Sequence, residues 1–317
     1  MSGFLHHLDL AAPYFILVLV GYALSRSGRF KKSVSDALAT FVFAVAIPSL
    51  LFRLMSDPSR LPPFDAKLLI AFFGGCLVTF VVGRVVSKSM FGLDGVGQSI
   101  FGLGGIFSNN VLLGIPLAKV ILGDAALPPV ALVVVFNSLT LWTLVTVSVE
   151  WARHGEFSVA GFVRTARNVL TTPVVAAILS GAAFGLTGWH LPGMIDEPLR
   201  LMGQAAAPLA LVVVGMGLSE YGIRSGWRIG AAMTVLKLLV QPLAVWGLAR
   251  LLGLPALETQ AVVLLASLAA GVNVYLMSKQ FDTLQGPVAT CLVLSTAFSA
   301  VTTPLAVALA GRVGFGG

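Results

Sequence analysis

Stretches of about twenty mainly apolar residues recur along this chain, separated by short polar links, and that recurrence limits what it can fold into. Each stretch is long enough for a helix to cross the roughly 30 Å hydrocarbon layer of a bilayer. Inside lipid a segment must satisfy its own backbone N–H and C=O groups, so only helices or closed barrels can span; runs of this length select helices. We place ten spans, at about 11–27, 34–54, 67–88, 98–121, 128–150, 167–187, 199–219, 229–251, 258–279 and 287–310. Proline-bearing loops at 53–67 (Pro58, Pro62, Pro63) and 187–199 (Pro192, Pro198) separate two pairs of them. Composition agrees: 10% of the residues are charged, where a soluble domain carries roughly a quarter. The expected fold class is an all-α polytopic membrane protein.

The N-terminal apolar run has no basic segment before it and reads as a retained first span. Cys76 and Cys291 both fall inside spans, and His6, His7, His154 and His190 lack metal-ligand spacing. No disulfide framework, metal, cofactor or catalytic residue is signalled. Lysine and arginine orient the spans. About twelve follow spans 1, 3, 5, 7 and 9, among them Arg26, Arg29, Lys31 and Lys32, against seven on the other side. The positive-inside rule then puts both termini on the non-cytoplasmic side of the cytoplasmic membrane. It also assigns the net charge of +7 to topology rather than to nucleic acid.

The chain repeats itself weakly. At an offset of 160, Pro13, Gly21, Gly28 and Pro48 meet Pro173, Gly181, Gly188 and Pro208; at 158, "DAALPPVA" (124–131) meets "DTLQGPVA" (282–289). Two halves, 1–155 and 156–317, would each hold five spans. An odd number forces opposite orientations, the inverted-repeat plan of many secondary transporters. Spans 4 and 9 become mates, and both carry helix-breaking residues: "SNNVLLGIP" (108–116), with Gly114 and Pro116, and "AAGVNVYLMSK" (269–279), with Gly271 and Asn273.

Unwound backbone at membrane depth is tolerated only where protein or a water-filled cavity satisfies it. Half-helix N-termini suit a carboxylate, and C-terminal carbonyls suit a cation. Asn109, Asn110 and Asn273 add polarity without permanent charge; their competing role is interhelical hydrogen bonding. Asn137, in span 5, divides between the same two roles. Lys237, followed a turn later by Gln241 and Pro242, lies well inside span 8, where a buried cation marks function unless it snorkels. Arg53 ends span 2 and reads as the better candidate for snorkelling. Every Asp and Glu falls at a span end or in a loop, so the core favours an anionic ligand.

The stretches "FVFAVAIPSLLFRL" (41–54), "GLGGIFSNNVLLGIPL" (102–117), "VVFNSLTLW" (134–142), "LKLLVQPL" (236–243) and "LAAGVNVYLMSKQF" (268–281) together resemble the auxin efflux carrier family, particularly its bacterial malonate-transporter-like members. The likeness runs along essentially the whole chain. It implies a ten-span inverted-repeat fold in which spans 1, 2, 6 and 7 form a scaffold, usually the homodimer contact. Spans 3–5 and 8–10 would form a transport core with helices 4 and 9 crossed. It implies carboxylate transport at that crossing by an elevator-like movement, with Asn109, Asn110, Asn137 and Asn273 at the substrate and Pro116 as the crossover proline. The chain departs from the plant carriers in lacking a long hydrophilic centre, since residues 151–166 form only a short link. No acidic group can be placed beside the site.

The resulting expectation is a secondary carrier of a small carboxylate, malonate first, with Lys237 or Arg53 pairing a second carboxylate or stabilising the core. The runner-up is a sodium- or proton-coupled carrier of another organic anion. An integral membrane enzyme would need paired acids, a metal motif or an activated nucleophile at depth, and the acids and histidines lie outside the span centres.

Overall fold

The computed structural model describes residues 2–57, 66–154, 171, 173–219 and 226–312, and the regular elements among them are helical. Helix α1 (Ser2–Arg26) leads to α2 (Lys32–Phe41) and α3 (Ile47–Met55), which run on from one another through a π-helical turn, Val42–Ala46. Helix α4 (Ala66–Phe91) follows, then α5 (Gly95–Ile106), which stops short. The chain resumes in a second π-helical turn, Asn110–Gly114, and α6 (Ile115–Leu122), followed by α7 (Leu127–His154). Beyond lie α8 (Pro173–Leu186), α9 (Gly193–Leu218) and α10 (Trp227–Val235). A third π-helical turn, Leu236–Val240, joins α10 to α11 (Gln241–Leu251). Helix α12 (Ala256–Ser267) also stops short, before α13 (Asn273–Gln280) and α14 (Gln285–Arg312).

One cause explains all three π-helical turns. Proline has no N–H, and its ring crowds the carbonyl four residues earlier. Pro48, Pro116 and Pro242 each sit second in the helix that follows such a turn. The crowded carbonyls belong to Ala44, Leu112 and Leu238, each inside its turn. The helix widens locally and continues instead of breaking.

Five helical stretches, Lys32–Met55, Ala66–Phe91, Gly193–Leu218, Trp227–Leu251 and Gln285–Gly311, are long and apolar enough to cross a membrane, and shorter apolar helices accompany them. Large apolar side chains such as Leu19, Ile70, Val85, Leu243 and Phe298 stand exposed on the outside, as a lipid-facing surface requires.

Packing relies on glycines, which let backbones approach where lipid offers no hydrophobic drive between helices. A Cβ on Gly21 of α1 would run into the Val212 carbonyl of α9, and one on Gly181 of α8 would meet the Phe52 carbonyl of α3 at 2.7 Å. Helix α9 packs on α1 and on α2–α3, and α3 packs in turn on α8. Helix α4 packs on α5 and α11, α10 and α12 pack on α14, and α5 packs on α7. Helix α1 also lies against α14.

Helix α9 opens at Gly193, earlier than the expected 199, so Pro198 lies within the helix rather than in a loop. Pro58, Pro62, Pro63, the expected start of span 6 at 167, and residues 156–166 lie outside the described residues.

Candidate functional site

The two interruptions meet. After α5 the backbone turns extended at Phe107, and after α12 at Leu268. Ser108 and Ala270 pair as a single antiparallel bridge. The Asn109 N–H donates to the Ala269 carbonyl at 2.9 Å, and the Gly271 N–H donates to the Phe107 carbonyl at 2.8 Å. Each break thus satisfies backbone groups of the other. Gly271 eases the approach: a Cβ there would lie 3.2 Å from the Ser108 carbonyl oxygen, a tight contact. At Gly114, a Cβ would press on Leu265 at 2.8 Å and Leu268 at 3.0 Å.

One side of this junction is dry and fully tied. Lys237 is completely buried; its ammonium donates to the Ala266 carbonyl at the end of α12 and to Gln241 Oε1, both at 2.6 Å. Gln241 Nε2 in turn donates to the Ile106 carbonyl at the end of α5, at 2.8 Å. A cation beside the C-terminal carbonyls of a helix complements its dipole. Thr303 Oγ1 donates to the Ser267 carbonyl at 2.8 Å, and the Ala270 N–H donates to Ser295 Oγ at 3.0 Å. Both broken ends are therefore braced from α10–α11 and α14.

The other side opens into a cavity of about 350 Å³. Its floor is the junction: Phe107 to Leu112 from the first break, and Ala270 to Asn273 from the second. The opening residues of both second half-helices line it, so two helix N-termini face one space. Asn137 lines it from α7, and Leu292 and Thr296 from α14, while Val213 and Gly217 of α9 and Lys32, Ser35, Asp36 and Phe43 close the far wall. Asn110 Nδ2 donates to Asn137 Oδ1 at 3.2 Å. Asn110 Oδ1 and Ser108 Oγ are buried without a hydrogen-bond partner.

Asn109, Asn110, Asn137 and Asn273, expected at the site from the sequence, therefore share one cavity. Gly114, Pro116 and Gly271 belong to the backbone that shapes it. Lys237 and Arg53 do not line it. Lys237 neither snorkels nor faces the cavity; it braces the dry side. Arg53 lines a separate space of about 440 Å³ with Lys119, Asp124, His190 and Asp196. There its Nε and Nη2 grip the Asp196 carboxylate at 2.6 and 3.0 Å.

One expectation is corrected: an acidic group does stand at the site. Asp36 lines the cavity beside Lys32, one turn away on α2. The sequence placed both at the membrane edge, and the helical spacing of Lys32, Ser35, Asp36, Ala39 and Phe43 was the signal that they share one face. Thr296 was missed because a threonine in an apolar helix has no distinguishing pattern.

Residues 8–157 and 159–307 match the family model described as "Membrane transport protein". A "Putative malonate transporter" of Rhizobium meliloti is 26% identical over 299 residues, covering 92% of both chains. An "Uncharacterized transporter" of Methanocaldococcus jannaschii is 24% identical, over 92% of this chain and 95% of its own length. "Auxin efflux carrier component 8" of Arabidopsis thaliana is 21% identical, over 87% and 90%.

Proposed function

The chain belongs to the membrane transport protein family, which includes an auxin efflux carrier among the relatives it matches, and from that premise of a multi-pass membrane transporter we propose a secondary carrier of a small carboxylate anion. Malonate is the first candidate, from the name of the Rhizobium relative. A single observation carries the reading: two half-helix N-termini and four asparagines line one cavity. Helix N-termini offer N–H donors and partial positive charge to a carboxylate. Asparagine amides add donors without a fixed charge, so the anion can leave on the far side as readily as it enters. Lys32 supplies the cationic group of the cavity wall, where the sequence offers Lys237 or Arg53 either to pair a second carboxylate or to stabilise the core.

The proposed architecture is ten spans in two inverted repeats with helices 4 and 9 crossed. Helix starts support it: Lys32, Ala66 and Gly95 have counterparts at Gly193, Trp227 and Ala256, each about 161 residues on. Gly28 and Gly188, mates at an offset of 160, share a left-handed φ of 73° just past α1 and α8. Gly21 packs on Val212 as its mate Gly181 packs on Phe52, and these partners are themselves 160 apart. Spans 1, 2, 6 and 7 (α1, α2–α3, α8 and α9) form the proposed scaffold of a homodimer, and the remaining helices the moving core. The cavity lies between the two groups, as an elevator-like movement requires. Both termini lie on the non-cytoplasmic side in this reading.

Flux is the test. Purified protein in proteoliposomes should take up labelled malonate saturably, and unlabelled malonate should compete. Absence of uptake for malonate and for a panel of other small mono- and dicarboxylates, in correctly folded protein, would reject a carboxylate carrier.

A further inference from the structure

The donors of the cavity leave something unexplained. A carboxylate accepts hydrogen bonds and cannot serve an acceptor. Yet Asn110 Oδ1, on a residue 2% exposed, is an acceptor without a partner, and Ser108 Oγ, on a residue 1% exposed, is also unpartnered. Leaving such a group buried and unsatisfied disfavours the folded state. Thr296, on the α14 wall, commits its hydroxyl hydrogen to the Leu292 carbonyl at 2.8 Å, so toward the cavity its oxygen is an acceptor. Three buried oxygens, two on the floor and one on the α14 wall of the same space, thus ask for a donor or a cation.

We propose that Ser108, Asn110 and Thr296 form a site for a monovalent alkali cation beside the anion site. The chemistry of the oxygens sets the class. They are hard and uncharged, whereas calcium and magnesium sites are built on carboxylates. Softer metals select thiolate or imidazole, and among the described residues no trio of His, Cys, Asp or Glu gathers. The other place where broken membrane helices hold a cation is their C-terminal carbonyls. Here Lys237 and Gln241 already occupy those at Ala266 and Ile106, which leaves side-chain oxygens on the cavity side. An ion there offsets the charge of an adjacent carboxylate and ties its entry to that of the anion. That coupling role rests on the carrier reading above; binding of the ion does not.

Thermal unfolding of the purified full chain tests it without any anion substrate. The midpoint is compared in sodium, potassium and choline chloride at equal concentration. A ligand that binds only the folded state raises the midpoint saturably, and a shift of about 2–4 °C over choline is expected in sodium or potassium. Ser108→Ala and Thr296→Val, which remove oxygen ligands at little change in size, should each abolish most of the shift, with a choline midpoint no lower than that of the wild type. Equal midpoints in all three salts, or a cation shift unchanged in both variants, would overturn the proposal. A cation shift without carboxylate flux would sink the carrier reading and leave the ion site standing; flux without a cation shift would do the reverse.

Discussion

The two sides of the helix junction are built from similar residues and end up in opposite states. On the dry side, Lys237, Gln241, Ser295 and Thr303 meet the carbonyls and N–H of the broken ends with short hydrogen bonds. On the cavity side, Asn110 and Ser108 keep polar atoms without partners. The difference separates two jobs that polar groups do inside a membrane. Where every group is satisfied by protein, the network holds the backbone in a conformation that lipid would not tolerate. Where buried polar atoms without a protein partner line a cavity, they are placed to meet a ligand. A polar residue at depth is thus read by what it already touches, not by its type.

The largest effect is expected on the dry side. Lys237→Ala leaves the Ala266 carbonyl and Gln241 Oε1 unpaired and opens a void. The expected loss of stability is about 3–5 kcal/mol, summing unsatisfied groups and cavity, read as a fall in unfolding midpoint and in yield. If that variant keeps the wild-type midpoint, the bracing role is wrong. Asn273→Ala should behave oppositely. Its midpoint should stay within a degree or two, while apparent malonate affinity falls about 10- to 100-fold, as loss of a hydrogen bond to a charged group implies.

Two smaller effects sharpen the boundary. Lys32→Gln should lower affinity for a dicarboxylate by about 3- to 5-fold, near 1 kcal/mol for an exposed ion pair. Affinity for acetate or propionate should stay close to wild type, so competition against labelled malonate reads the difference. Arg53→Gln should change least. Its pair with Asp196 is 39% and 33% exposed, and such pairs are worth about 0–1 kcal/mol. Equilibrium malonate binding should be unaltered, because Arg53 lies in the other cavity.

The sequence carries the interruptions well. Paired amides before Gly114 and Pro116, and Gly271 beside Asn273, compete with helix and admit close approach, and those are local properties. Pro48, Pro116 and Pro242 likewise mark the π-helical turns. What a sequence does not carry is the direction in which a buried side chain points. Lys237 is recognisable as a buried cation, but its partner is the backbone of Ala266, 29 residues on, and a carbonyl has no sequence signature. Arg53 could be read only as an interfacial arginine, since Asp196 is 143 residues away. Lys32 and Asp36 looked like ordinary loop-edge charges. They reach the cavity because α2 turns that face inward, which depends on how α2–α3 packs against α9.

The most direct test measures binding rather than flux. Equilibrium binding of labelled malonate to purified protein is compared for wild type, Asn109→Ala with Asn273→Ala, and Gln241→Leu, each first checked for folding. Saturable binding to wild type, near-complete loss in the asparagine double variant, and affinity within about 3-fold of wild type for folded Gln241→Leu are expected. Undiminished binding by the double variant, with loss confined to Gln241→Leu, would put the ligand on the dry side of the junction and contradict a site in the cavity.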